Sequence, residues 1–258
     1  MIKGLEKFKV HFKEHSDKYI LIGGAACDYW FSDYGSEFRA TKDLDIILVV
    51  EVLDKSFFSS FWDFIKKGNY GKMQCEEKEK QYYRFKEPAE EGFPYQIELF
   101  SRKPDIIELP DEAHLTPIPA DEEFSSLSAI IIDEVFYNFV KDNCLKKDDF
   151  PILNIPGLIC LKAKAFFELK KRKEKENVSE KEIKKHRNDI IRLLSLLTKN
   201  DRITLPDKIK ELIKDFQQDI KDNPPVYSGI QKDLKSKGIE VILSNEFVNN
   251  RLNDAFEL

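Results

Sequence analysis

The alternation of apolar and polar positions changes character once along the chain. Up to residue 149, short apolar runs alternate with helical repeats. Residues 3–15 space Leu5, Phe8 and Phe12 at helical intervals. The run "KYILIGG" predicts a short buried strand halted by Gly23 and Gly24, and "AACDYWFSDYG" predicts a helix ending near Gly35. "DLDIILVVEV" reads as the next strand and "KSFFSSFWDFIKKG" as a second helix closed by Gly68. "QYYRF" and "YQIELFS", separated by the turn-rich "KEPAEEGFP", read as two more strands, and "SAIIID" as another. From residue 150 the period is helical: "PGLICLKAKAFFELKKRKEKE", "SEKEIKKHRNDIIRLLSLLTK", "PDKIKELIKDFQQDIKD" and "SNEFVNNRLNDAFEL" each carry it. Ser179 and Glu182 have the spacing of a capping box. The pattern therefore predicts a mixed α/β domain over residues 1–149 and an all-helical bundle over 150–258, with no internal repeat.

Composition narrows the class without naming a function. A chain of 258 residues can bury a real core in one large or two modest domains. Its formal net charge of −5 argues against wrapping long nucleic acid by bulk attraction, while leaving room for a local basic patch. Cys27, Cys75, Cys144 and Cys160 show neither C-x-x-C pairing nor a histidine at zinc-site spacing, so they read as free thiols in a reducing compartment. The first residues are charged throughout, unlike a signal peptide, and no apolar run approaches a membrane span. A soluble cytoplasmic protein with no membrane partner is the expectation.

Chemistry enters with three features. "IGGAA" places two glycines between a strand and a helix, where backbone N–H groups can approach phosphate oxygens and the helix dipole favours an anion. Asp43-x-Asp45 opens the next strand, and i,i+2 residues of a strand share a face. Two carboxylates side by side repel each other, and one or two Mg2+ (or Mn2+) ions would neutralise them through hard oxygen ligands. Glu98, inside the apolar segment "YQIELF", completes an acidic triad if its strand lies beside that of Asp43. Each feature has a plainer reading. Gly-Gly also makes a tight turn, Asp43 and Asp45 can pair with Arg39 and Lys42, and Glu98 can sit on an edge strand facing water. Their order along the chain favours the site.

These residues carry a resemblance. "LIGGAA" followed by "RATKDLDIIL" is similar to the Gly-Gly/Asp-x-Asp signature of the nucleotidyltransferase superfamily, and Arg39-x-Thr41-x-Asp43-x-Asp45 resembles its AbiEii toxin branch. "IPGLICLKAKAFFELKKR" and "KKHRNDIIRLL" resemble that branch's lysine-bearing helix and later K-x-x-x-D helix, so the likeness spans residues 19–197. It implies a nucleotidyltransferase-like mixed sheet with flanking helices, of α/β (α+β) class, followed by the helical domain. It implies that Gly23, Gly24, Arg39, Thr41 and Lys162 hold a nucleoside triphosphate. Asp43, Asp45 and Glu98 would bind the metal, and these three with Lys162 and Asp189 would form the catalytic set. It further implies an RNA end, a protein or a small molecule as hydroxyl acceptor, and an antitoxin protein as partner in a toxin–antitoxin or phage-defence pair. The pattern departs at Ala25, where a serine or threonine is common, and at His186 and Asn188, where an acidic residue is more usual.

The helical half adds its own physics. Lys162 lies in the apolar "LICLKAKAFF", where an ammonium needs an anion; a phosphate supplies one, a structural aspartate does so equally, and the side chain can also snorkel outward. Lys185 and Asp189 stand i,i+4, which fits a surface pair as well. Residues 170–187 hold nine basic side chains against Glu174, Glu176, Glu180 and Glu182, an excess that suits a nucleotide or RNA end but also a solvated helix face. Phe57, Phe58, Phe61, Trp62 and Phe64 cluster on one helix and read as core, and His11, His15 and His114 carry no role. Two rivals remain: a non-catalytic nucleotide-binding or protein-interaction module retaining the fold, and a nucleotidyltransferase of the antibiotic-modifying kind.

Overall fold

Tyr19, Ile20, Leu21 and Ile22 are all buried, an unbroken apolar run of the kind that a strand covered on both faces requires. They form β1 (Tyr19–Ile22), near the middle of a mixed sheet. The computed structural model describes residues 2–76, 81–103, 115–118, 128–174 and 179–258. The side chains of Cys75 and His114, and residues 175–178 of the basic run with Glu176, lie outside the described residues. The chain divides into two compact units, Met1–Tyr29 with Arg39–Leu153 and Trp30–Phe38 with Asn154–Leu258.

In the first unit, β1 pairs antiparallel with β2 (Asp43–Leu48), and β2 pairs parallel with β5 (Gln96–Ser101). Outward from β5 come β4 (Gln81–Pro88) and β3 (Tyr70–Glu76), each antiparallel to its neighbour. On the other side β9 (Phe150–Leu153) runs parallel to β1 and forms a hairpin with β8 (Cys144–Lys147). The end of β5 also pairs with β7 (Ser128–Ile131), which carries β6 (Leu115–Pro117).

Helices α1 (Leu5–His11), α2 (Gly23–Asp33), α3 (Lys55–Gly68) and α4 (Glu134–Asp142) accompany the strands. Helix α3 is opened by the Asp54 carboxylate, which accepts from Phe57 N at 2.9 Å, and it ends at Asn69 in the left-handed region. Its phenylalanines Phe57, Phe58, Phe61 and Phe64 are all buried, and Phe64 packs on Phe8 and Phe12 with ring centroids 5.5 Å away. Burial of each such ring stabilises the unit by roughly 1.5–3 kcal/mol. The aromatic helix is core.

Several boundaries differ from the sequence expectation. Residues 150–153 belong to the sheet because Phe150, Ile152 and Leu153 are apolar and buried beside β1, so the division falls after Leu153 and not after residue 149. Asp148 and Asp149, both at positive φ, make the tight turn of the β8–β9 hairpin. The helix expected over 3–15 breaks after His11 into a single 3-10 turn, Lys13–His15. The strand expected over 43–52 stops at Leu48, and Glu51 turns away to Tyr137, Arg102 and Lys141. β3, α4 and β8 were not legible from the pattern at all.

The second unit contains α5 (Ile155–Lys173), α6 (Glu180–Leu194), α7 (Asp207–Asp222), α8 (Tyr227–Ser236) and α9 (Asn245–Phe256). Asn154 caps α5 through Gly157 N, ahead of Pro156 in the first turn, and Ser244 caps α9 through Phe247 N. Ser179 caps α6 through Lys181 N, while the Glu182 carboxylate lies 3.6 Å from Lys185 instead of closing the expected box. Residues 30–38 join this unit: Ser36 Oγ donates to the Lys237 carbonyl at 2.9 Å, and Lys237 Nζ donates to the Phe38 carbonyl at 3.2 Å. Among the described residues, no helix is long and apolar enough to cross a membrane.

Candidate active site

The first four residues of β2 alternate in burial. Leu44 and Ile46 are fully buried on one face, and Asp43 and Asp45 stand half-buried on the other. The register of neighbouring strands then adds to the acidic face. Asp45 stands opposite Ile22 of β1 and, on its other side, opposite Glu98 of β5; Glu98 stands opposite Arg84 of β4. Asp43 stands opposite Gln96. Residues paired across a ladder point to the same face, so Asp43, Asp45, Gln96, Glu98 and Arg84 share one.

β1 ends where α2 begins, at Gly23. Gly23 has φ 67°, and a Cβ there would collide with the Asp45 carboxylate. At Gly24 a Cβ would collide with the Thr41 hydroxyl. The two glycines therefore admit Asp45 and Thr41 to the first turn of α2, where the helix dipole favours a carboxylate. The Gly-Gly spacing reflects close approach by the chain's own polar groups.

Asp43 makes no hydrogen bond or ion pair among the described residues. Lys42, one of the cations that could have met it, lies with Nζ 5.3 Å from the Tyr95 ring centre, and Arg39 Nη1 donates to the Ala40 carbonyl at 3.2 Å. Glu98 is differently placed. Its side chain is 13% exposed, its Oε1 lies 2.5 Å from Arg84 Nε, and the same oxygen accepts from Gln96 Nε2 at 2.6 Å. Burial holds the Glu98 carboxyl above its ordinary value; the Arg84 charge opposes that shift, and the nearby Asp43 charge adds to it.

Among the described residues, no three His, Cys, Asp or Glu side chains gather as a group able to hold a metal ion. Of the three expected carboxylates, which share this face, Glu98 is engaged by Arg84 and Gln96. Those two partners escaped the sequence reading. Gln96 stands i−2 from Glu98 and so had to share its face, while Arg84 interrupts the aromatic "QYYRF" with a charge that the adjacent strand answers.

Lys162 and Asp189 lie in the helical unit. Lys162 is 6% exposed and Asp189 fully buried, with Nζ donating to Asp189 Oδ2 at 3.0 Å. The anion that a buried ammonium needs is supplied from inside the bundle. Arg192 Nη1 lies 3.8 Å from the other Asp189 oxygen, and Arg192 Nε donates to Asp233, whose second oxygen meets Lys237 at 2.9 Å. Lys164, two positions along α5, pairs with Glu168 at the surface. The structure therefore groups Gly23, Gly24, Thr41, Asp43, Asp45 and Glu98 in the α/β unit and Lys162 with Asp189 in the helical one. No family model matches the chain, and no curated protein matches it either.

Proposed function

We propose that the α/β unit is a metal-dependent nucleotidyltransferase, which moves a nucleoside monophosphate from a nucleoside triphosphate to a hydroxyl acceptor. The observation that carries the reading is the Asp43–Asp45 face beside the Gly23–Gly24 turn, where two carboxylates stand together and Asp43 has no internal partner among the described residues. The donors are hard oxygens, and Asp45 is seated where a glycine alone leaves room, so the pair fits one Mg2+ or Mn2+ shared with substrate phosphates. When bound, the ion supplies charge neutralisation and polarisation at the phosphate under attack. Gly23 and Gly24 keep Asp45 and Thr41 against the start of α2, and Asp43 provides the second anionic ligand. Arg84, on the same face, supplies a cation for phosphate oxygens. The resemblance at "RATKDLDIIL" extends the proposal to a cytoplasmic toxin with an antitoxin partner and an RNA end, protein or small molecule as acceptor.

A second reading, nucleotide binding without transfer, is favoured by the engagement of Glu98 with Arg84 and Gln96. One experiment separates the two. The full chain is incubated with each labelled nucleoside triphosphate, Mg2+ or Mn2+, and pooled tRNA or cell lysate. Label appears on an acceptor with the wild-type chain and is lost with Asp45→Asn. Retained nucleotide binding with no labelled acceptor under any condition supports the second reading, and equal labelling by Asp45→Asn overturns the first.

A further inference from the structure

The basic run at residues 170–187 is not consumed by the acidic site, and its pattern alone fits a solvated helix face. The fold gives it a shape. Side chains from both ends of the run, with others from α7, line a cavity of about 250 Å³ within the helical unit. Its apolar part is Phe166 and Ile183, both buried. Around these stand Lys170, Lys173, Lys184 and Arg187 against two carboxylates, Glu180 and Asp219.

The internal pairs do not balance. Asp219 is only 8% exposed and lies 2.5 Å from Lys170 Nζ, and Glu180 pairs with Lys173. Each carboxylate thus has its own lysine. Lys184 and Arg187 remain, and among the described residues neither forms an ion pair. Arg187 donates from Nη1 to the Asn223 carbonyl at 3.2 Å, while its Nε is shielded from solvent with no hydrogen-bond partner. A shielded donor left unmatched costs free energy that an oxygen acceptor would recover. An arginine beside a lysine suits a phosphate, the first through its fork of donors and the second as a point charge.

We propose that this cavity binds the phosphate group of a small phosphomonoester. Among the described lining residues, four cations against two carboxylates leave a formal excess of two positive charges, matching the dianion. The volume, below the usual range for drug-sized ligands, limits the rest of the molecule to a few atoms over Phe166 and Ile183. The cavity is lined by residues of the helical unit, and its assignment does not rest on the reading given to the acidic face.

Isothermal titration of the full chain tests it, with inorganic phosphate, glycerol 3-phosphate and uncharged glycerol as probes. EDTA is present throughout, so that no divalent metal contributes. Both phosphates bind and glycerol does not. Lys184→Gln and Arg187→Gln each weaken the phosphates by about tenfold, the scale of one charge-assisted hydrogen bond. Lys164→Gln, on α5 outside the cavity, leaves binding unchanged. Because Lys184 is exposed, its variant keeps the fold even if Arg187→Gln does not. Absence of phosphate binding to the wild-type chain, glycerol binding as well as its phosphate, or unchanged affinity in Lys184→Gln would each overturn the assignment.

Discussion

The two units of this chain treat charge in opposite ways. In the helical unit Asp189 is fully buried, held by Lys162 at 3.0 Å with Arg192 close behind. In the α/β unit Asp43 and Asp45 stand half-exposed on one strand face, and Asp43 has no ion pair among the described residues. A buried carboxylate with an ammonium against it is answered by the fold. Like charges side by side at a strand end repel each other, and a cation between them would offset that repulsion. Depth of burial alone therefore misleads: the more deeply buried aspartate is the more readily explained by structure.

The comparison breaks first at Lys162. Lys162→Ala takes the 3.0 Å partner from a fully buried carboxylate, leaving Arg192 at 3.8 Å, and the helical unit loses about 3–5 kcal/mol in urea melts. Lys164→Ala, which removes a surface pair with Glu168, changes stability by about 0.5 kcal/mol or less. The double change Lys162→Met with Asp189→Leu recovers most of the loss, because two apolar side chains need no partner. Equal melts for Lys162→Ala and Lys164→Ala would show that Asp189 is satisfied without Lys162.

Next in size is Gly23→Ala. A side chain at φ 67° costs about 1–3 kcal/mol, and it also pushes the Asp45 carboxylate off the start of α2. Melting of this variant should fall by that amount, and its divalent-metal affinity should fall with it. Unchanged metal affinity in a destabilised Gly23→Ala protein would detach the turn from the site.

The smallest effect is a pH dependence from Glu51. Burial alone would raise its carboxyl, but the Tyr137 hydroxyl at 2.7 Å, Lys141 and Arg102 outweigh burial and bring it from 4.5 to about 2. A depressed folded-state value means that the Glu51 contribution is present above the unfolded value of 4.5 and is lost as pH falls toward about 2. The stability difference between the wild-type chain and Glu51→Gln should therefore be constant from pH 7 to 5 and shrink between pH 4.5 and 2. A difference that stays constant down to pH 2 would remove Glu51 from the acid response.

What the sequence disclosed follows the same division. Strands with uniform apolar runs, such as "YILI", and helices with phenylalanine at helical spacing, such as α3, were legible because burial leaves a periodic trace. β3 and β8 were not, since "YGKMQCE" opens on a tyrosine, a glycine and a lysine and "CLKK" sets two apolar residues before two lysines, so neither carries a sustained alternation. The i,i+2 spacing of Asp43 and Asp45 gave their shared face, a local property. Glu98 against Arg84, and Lys162 against Asp189, depend on strand register and helix packing, and no local spacing encodes either. Glu98 and Lys162 read as lone charges in apolar segments, and their charged partners, Arg84 and Asp189, came from other elements.

The central claim is that Asp43 and Asp45 together hold a divalent metal, and Mn2+ uptake followed by electron paramagnetic resonance tests it most directly. The wild-type chain and Asp45→Asn are titrated with Mn2+ in the presence of a non-hydrolysable nucleoside triphosphate analogue, with urea melts of both run alongside. The account predicts saturable Mn2+ binding by the wild-type protein and affinity weaker by about 100-fold or more in Asp45→Asn, at equal or slightly higher stability, since one of two like charges is gone. The same Mn2+ affinity in both proteins, or none in either, would contradict it.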